Sequence, residues 1–516
     1  MRARRACEEP VDPALTAGCP AILSTMRPTL LAALLLAAGC VAPVRLALQL
    51  VCDPDDTSMW PPLHEDVVSP VGALLPFDLE VDDYAGPASS VYGKSPEIVA
   101  VPDMFGIDVL LQDYGDGAPA KLVRIERDQG RFAVTQILDI DGLDRVMGLA
   151  VDDEGYRYVA TGVAEDASQS ETPGLGEYRD DIVHIDKIDR EGEVLYTVDL
   201  DRAREATGTG PELVMSPMIA GSSRLVWGGG KLEILHAINT DWDASISQRH
   251  QKALSTVIDA ATGDVTRTAS IWVSHSFDQR LYYDGTGFIE MHLGDAYPRQ
   301  IVIARVEPDS SAYPIMNNKG TTGDNNTYSR LGGLAIVPAE EDPDFGYLAV
   351  FSTESTTDLS GGGPKNVGFV RVRRDFETKD PTSGEHIDPD LPDELVSAVD
   401  GTDYTNRLKW LTAYTTESGL QAERSQIVSL SCGRYVVLWE EWDLAGTYYG
   451  TQGLVLDSQG NVLVEARQVT QLHIPRGDDV FAFDNSAAWI SANKETGALY
   501  VNRVYADLSF TQDAIE

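Results

Sequence analysis

One local pattern recurs along this chain and limits what it can fold into: an apolar run, a short acidic turn containing glycine, then a second apolar run. It reads GLAVDDEGYRYVATGV (148–163), HIDKIDREGEVLYTVDL (184–200), STVIDAATGDVTRTASIWV (255–273), GLAIVPAEEDPDFGYLAVF (333–351), GLVLDSQGNVLVEA (453–466) and AWISANKETGALYVNRV (488–504). A tight reversal between antiparallel strands needs a positive φ, which glycine adopts without Cβ strain. The Asp or Asn before it accepts hydrogen bonds from the turn amides. The turn glycines are Gly155, Gly192, Gly263, Gly346, Gly460 and Gly497. Short runs rich in β-branched and aromatic residues read as strands: Leu122–Ile125, Tyr158–Val163, Ile182–Ile185, Ile301–Val306, Tyr347–Phe351, Val367–Val372, Tyr435–Trp439 and Leu454–Leu456. Helical periodicity is confined to a short stretch at Asp201–Ala206. The expected fold class is all-β.

A large all-β chain must hide its strand edges, and radial repetition does so. Most spacings of the turn glycines fall near multiples of a little under about 40 residues, the order of a propeller blade. GLAVDDEGYRYVA (148–160) resembles repeats of NHL-type propellers, and IDAATGDV (258–265) resembles repeats of quinoprotein propellers. Residues 75–516 are therefore expected to form a β-propeller of about six to eight blades. Three polar segments read as loop insertions that cap one face, where binding sites usually lie: Ala164–Asp181, Tyr313–Arg330 and Arg374–Glu394.

Ahead of that body lies a different kind of sequence. Met26 and Arg27 open a short basic region, and residues 28–39 (PTLLAALLLAAG) are an apolar stretch of signal-peptide length, too short for a permanent membrane span. It ends in Ala37-Ala38-Gly39-Cys40, which resembles the lipobox of bacterial lipoproteins. That resemblance implies cleavage before Cys40 and a diacylglycerol on its thiol. It divides the chain into a mis-assigned extension at 1–25, a signal peptide at 26–39, a lipid-anchor and tether segment at 40–74, and the propeller. An ordinary signal peptide followed by a buried strand is the alternative. The acidic residues Glu8, Glu9 and Asp12 make residues 1–25 unlike a leader, so translation is expected to start at Met26. With Cys40 lipidated, Cys52 and Cys432 remain, either as a disulfide in an oxidising compartment or as two buried thiols. The resemblance to bacterial lipoproteins also implies, through Val41 rather than Asp after the cysteine, sorting to the outer membrane of a Gram-negative cell.

The net charge of −41, from 81 acidic and 40 basic residues, repels nucleic acid and anionic lipid and keeps a monomer soluble. An abundance of Asp over Glu and Arg over Lys matches proteins of saline habitats and of high-GC genomes alike.

Chemistry-bearing residues concentrate in 272–299, WVSHSFDQRLYYDGTGFIEMHLGDAYPR, which holds two of the eight histidines. Strands around Leu281–Tyr283 and Gly287–His292, turning at Asp284-Gly285, would bring the open ends of the hairpin together. His275, Asp278, His292 and Asp295 are then expected to converge as ligands of a divalent metal, supported by Arg280, Arg299 and Tyr297, with Asn325 or Asn326 reaching over. The alternative has Asp278 and Asp295 capping turns and pairing with Arg280 and Arg299. Asp139–Asp144 alternates oxygen ligands like a calcium loop but lacks the closing Glu, so a turn is expected. In Trp439-Glu440-Glu441-Trp442, strand alternation puts the two carboxylates on opposite faces.

No local catalytic motif stands out. The expected function is a cell-envelope lipoprotein whose non-catalytic propeller binds protein, glycan or metal. The alternative is an exported metal- or carboxylate-dependent hydrolase or lyase on the same scaffold.

Overall fold

The computed structural model describes residues 97–515, except for 104, 113–118, 129–130, 143–144, 163–182, 201–222, 244–247, 273–277, 294–298, 307–310, 319–329, 355–362, 375–407, 476 and 494–497. These residues form seven four-stranded antiparallel sheets and, among the described residues, no helix.

In all seven sheets the strands sit in chain order from the inside outward, as a meander. Blade 1 holds β1 (Ile98–Pro102), β2 (Gly106–Leu111), β3 (Ala120–Asp128) and β4 (Arg131–Ile140); blade 2 holds β5 (Arg145–Val151), β6 (Arg157–Gly162), β7 (Val183–Ile188) and β8 (Val194–Leu200). Blade 3 holds β9 (Ser223–Gly228), β10 (Lys231–Asp243), β11 (Gln248–Asp259) and β12 (Val265–Trp272); blade 4 holds β13 (Gln279–Tyr283), β14 (Phe288–Leu293), β15 (Arg299–Arg305) and β16 (Ser311–Asn318). Blade 5 holds β17 (Arg330–Ile336), β18 (Phe345–Glu354), β19 (Lys365–Arg373) and β20 (Leu408–Trp410); blade 6 holds β21 (Leu420–Leu430), β22 (Arg434–Asp443), β23 (Tyr448–Leu456) and β24 (Val462–Thr470). Blade 7 holds β25 (Phe481–Phe483), β26 (Ser486–Asn493), β27 (Ala498–Tyr505) and β28 (Phe510–Ala514).

Seven apolar clusters fill the seven seams between neighbouring blades. Strand alternation explains this. In blade 3, Leu232 and Ile234 of β10 face blade 2, whereas Leu235 faces blade 4. Each sheet is thus apolar on both faces, which is why its inner strands read as near-continuous apolar runs. The last seam joins blade 7 to blade 1. Phe132, fully buried, packs its ring 6.0 Å from that of Phe483, and a parallel bridge links Phe132 to Ile515. The ring is closed, and the chain is a seven-bladed β-propeller, within the expected range of blade number.

All eight strands read from the sequence are present. The recurring unit, however, does not mark blades. Gly155 turns β5 into β6 and Gly192 turns β7 into β8, so both lie in blade 2. Any hairpin needs a positive-φ turn, and the two glycines adopt φ of 84° and 99°. The unit therefore reports hairpins at any place in a blade. The Tyr313–Arg330 segment also departs from expectation. Its first part lies within β16, and Arg330 opens β17. β16 is an outermost strand, where Pro314 loses no bond to a further neighbour.

We name the upper face as the one where the innermost strands begin. Connections from second to third strands, and from one blade to the next, lie on it. Residues 163–182 and 319–329 therefore leave and rejoin the fold on the upper face, while 375–407 do so on the lower. The three insertions thus do not all start and end on one face. The short helical stretch expected at Asp201–Ala206 lies outside the described residues.

Candidate functional site

Four successive blades open their innermost strand with arginine or with one residue and then arginine, each followed by an aliphatic: Arg145-Val146, Arg224-Leu225, Arg280-Leu281 and Arg330-Leu331. All four start at the upper face. Residues 471–480, which cross from β24 to β25 on the same face, supply the opposing charge.

Asp479 stands at the centre of this arrangement. Its Oδ1 lies 2.9 Å from Arg280 Nε and 3.5 Å from Arg224 Nη2. Blade 7 is across the ring from blades 3 and 4, so these contacts span the axis. The neighbouring Asp478 is fixed to blade 1, its Oδ2 accepting from the Ala100 amide at 2.9 Å. Burial raises the Asp478 carboxyl to about 6. Arg280 also pairs with Asp278 and donates to the Gln279 carbonyl at 3.0 Å. Burial alone would lower its pKa, but Asp278 and then Asp479 outweigh it and hold the guanidinium firmly charged. Beneath it, the Tyr282 hydroxyl accepts from the Leu334 amide at 3.1 Å, and burial raises its pKa so that it stays neutral.

Arg224 is less completely served. It is 7% exposed, and its Nη1 donates to the Ser223 carbonyl at 2.8 Å. Its Nε and Nη2 make no hydrogen bond, Nη2 having only the long ionic contact to Asp479. Buried donors of this kind are rarely left without an acceptor. On the next seams Glu423 takes Lys365 at 2.8 Å and Arg330 at 3.8 Å. Four basic groups, Arg224, Arg280, Arg330 and Lys365, thus meet Asp278, Asp479 and Glu423, with Asp478 beside Arg224. In a chain of net charge −41, this is a local concentration of cations that balances the acids around it.

The segment that carries Asp479 is anchored by a second carboxylate. Glu440, fully buried, accepts from Arg424 Nη1 at 2.9 and 3.1 Å, from Trp442 Nε1 at 2.9 Å, and from the Ile474 amide at 3.0 Å. Its Oε1 is also 3.1 Å from His473 Nδ1. Burial would raise its pKa, but Arg424 and then His473 hold it below the ordinary carboxylate value. The His473 ring stacks on Tyr448 at 3.9 Å. Glu441 points the other way and accepts from the Tyr414 hydroxyl at 2.7 Å, as alternation requires.

Of the residues singled out from the sequence, the hairpin itself is as expected: Gly285 has φ of 91°, and Asp284 Oδ1 caps the Thr286 and Gly287 amides. Asp278 and Arg280 pair with each other, the arrangement held above as the structural alternative. His292 lies in the seam facing blade 3, opposite Gln279, and burial lowers its pKa to about 4. His275, Asp295, Tyr297, Asn325, Asn326 and Cys40 lie outside the described residues, as does the side chain of Arg299, which opens β15. Among the described residues, no three His, Cys, Asp or Glu side chains come together as metal ligands. Asp139 lies in β4 and pairs with Lys121 at 2.5 Å. Arg224 and Asp479 were not legible as site residues; the recurring Arg-Leu or Arg-Val pair was the available signal.

The fold defines a seven-bladed β-propeller protein. No protein-family model and no curated protein matches the sequence. Among solved structures, it is similar to a periplasmic gluconolactonase of Pseudomonas aeruginosa, with 12% identity, a TM-score of 0.37, and coverage of 74% of this chain and 86% of that one. It is similar to the acylaminoacyl peptidase of Pyrococcus horikoshii, with 8% identity, a TM-score of 0.39 and 82% of this chain covered; the match spans 52% of the peptidase. It is also similar to the hemagglutinin-neuraminidase of parainfluenza virus 5, with 10% identity, a TM-score of 0.32, and coverage of 74% and 92%.

Proposed function

We propose that this protein is an exported lipoprotein, anchored through Cys40 in the outer membrane of a Gram-negative cell, whose monomeric propeller binds a small anionic ligand at its upper face. The observation that carries the binding reading is Arg224, a buried guanidinium with two nitrogens that make no hydrogen bond, beside Arg280 and Asp479. A carboxylate or sulfate group fits such a fork in geometry and charge. An acidic glycan unit combines that charge with small size. The global negative charge opposes such a ligand at long range, but salt screens that field beyond about 8–10 Å. Export is supported by Cys432, which is disulfide-bonded; Cys52 is its proposed partner.

The test is calorimetric titration of the purified protein with sulfate, glucuronate and neutral glucose. Sulfate and glucuronate should bind, glucose should not, and Arg224→Met should abolish the heat while the protein stays folded. Equal heats for the variant and the parent would refute the site.

A second reading, an exported hydrolase or lyase, is favoured by the Glu440–His473 contact, because a buried carboxylate that orients an imidazole is a common support for proton transfer. Under it, Glu440→Gln suppresses turnover of an acidic glycan and leaves binding at Arg224 intact.

A further inference from the structure

The seam between blades 3 and 4 holds two acids among apolar residues. Glu233 of β10 and Glu290 of β14 are 0% and 1% exposed. The directly opposite neighbours of Glu233 are Val226 and Val257, and those of Glu290 are Leu281 and Ala304. Ser255 Oγ donates to Glu233 Oε1 at 2.5 Å. Glu233 shares the seam face of β10 with Leu235, and Glu290 stands opposite Leu281 on the facing blade, so the two carboxyls approach each other across the seam. Glu233 Oε2 and Glu290 Oε1 receive no bond from any N–H or hydroxyl. Two carboxylates in this position would repel in an apolar layer, whereas one proton between them supplies the missing donor.

We propose that a proton shared by Glu233 and Glu290 holds blades 3 and 4 together and thereby sets the affinity of the arginine site; this rests on the anion-binding reading above. The connection is short. Leu235, two residues from Glu233, stands directly opposite Arg224. His292, two residues from Glu290, stands opposite Gln279, whose chain neighbour is Arg280. Loss of the proton to solvent leaves two negative charges between the blades and drives β10 from β14. Arg224 moves with one blade and Arg280 with the other, so the fork that receives the anion widens.

Other ionisable or charged groups face this seam among the described residues: Arg267, Arg224 and His292, Lys231 on the same face of β10 as Glu233, and Tyr283, which packs against the apolar cluster. Arg267 of β12 donates to the Val306 carbonyl and favours the ionised form of both acids. Arg224 lies at the upper end of the seam, on the same face of β9 as Val226. His292 stays neutral above about pH 4, so it does not titrate with the pair. Burial outweighs the cations and pushes Glu290 up to about 7; burial and then Glu290 push Glu233 well above the ordinary carboxylate range.

Sulfate keeps its charge across the relevant range, which makes it the probe. Its affinity is measured by calorimetry from about pH 5.5 to about pH 8.5. The full-length protein should bind about tenfold more weakly at the upper limit. E233Q/E290Q, which keeps the hydrogen bond without titrating, should bind with one affinity throughout; the single variant E290Q serves if the double variant does not fold. Binding that is equally strong at every pH, or a Gln variant that retains the fall, overturns the proton coupling and leaves the anion site standing. Absence of sulfate binding at every pH overturns both.

Discussion

Asp479, in the segment that leads into blade 7, and Arg280 of blade 4 start from opposite sides of the ring, yet Oδ1 of the first lies 2.9 Å from Nε of the second. The linker from blade 6 to blade 7 thereby reaches over the axis and neutralises arginines of blades 3 and 4. Removing it leaves Arg224 and Arg280 buried with too few anions. Asp479→Ala should cost about 3 kcal/mol of stability, as broken buried ion pairs do. Added sulfate should restore more stability to this variant than it gives the parent, because it occupies the vacated carboxylate position. Thermal melts with and without sulfate check both; an equal response of the two proteins argues against an anion-accessible site.

Ring closure depends on Phe132, which touches Phe483 and bridges to Ile515 in the last blade. Phe132→Ala should cost about 3–5 kcal/mol, the range for a large buried aromatic. Urea denaturation measures it. A loss below about 1 kcal/mol would show that other contacts close the ring.

Stability should fall with rising pH on the acid side of neutrality. Burial raises Asp478 to about 6 and Glu290 to about 7, and burial with the Glu290 charge raises Glu233 as well. Raised carboxyls keep their protons when folded, so their contribution is complete below the unfolded value of about 4.3. It is then lost, at about 1.4 kcal/mol per pH unit and group, until pH passes the folded value. E233Q/E290Q should flatten the decline and leave the part that ends near pH 6 from Asp478. Denaturation at a series of pH values checks this, and an unchanged slope in the variant contradicts it.

The anchor is tested at Cys40. Mass spectrometry of membrane-extracted protein should find a lipidated N-terminus there, and Cys40→Ser should release the protein from membranes. An intact, unmodified peptide spanning 30–45 in the mature protein would contradict the leader reading.

Much of the fold was legible because strands and hairpin turns are local. Val436, Leu438 and their neighbours announce β22 by composition, and Gly285 announces a turn by its missing Cβ. Blade phase was not legible, since Gly155 and Gly192 obey the same turn chemistry inside one blade. The site was half visible. Arg280 and Asp278 sit two residues apart and were noticed together. Asp479 lies about two hundred residues further along the chain and meets them only once the ring has closed. Glu233 and Glu290 were invisible for the same reason: an acid in an apolar strand gains meaning from the partner on the next blade.

The most direct test of the central claim is a crystal structure of the protein soaked in selenate, a sulfate analogue that scatters anomalously. The account predicts an anomalous peak at the axis, within hydrogen-bonding distance of Arg224 Nε and Nη2 and close to Arg280. Peaks confined to other surfaces, with Arg224 still making no further contact, would contradict it.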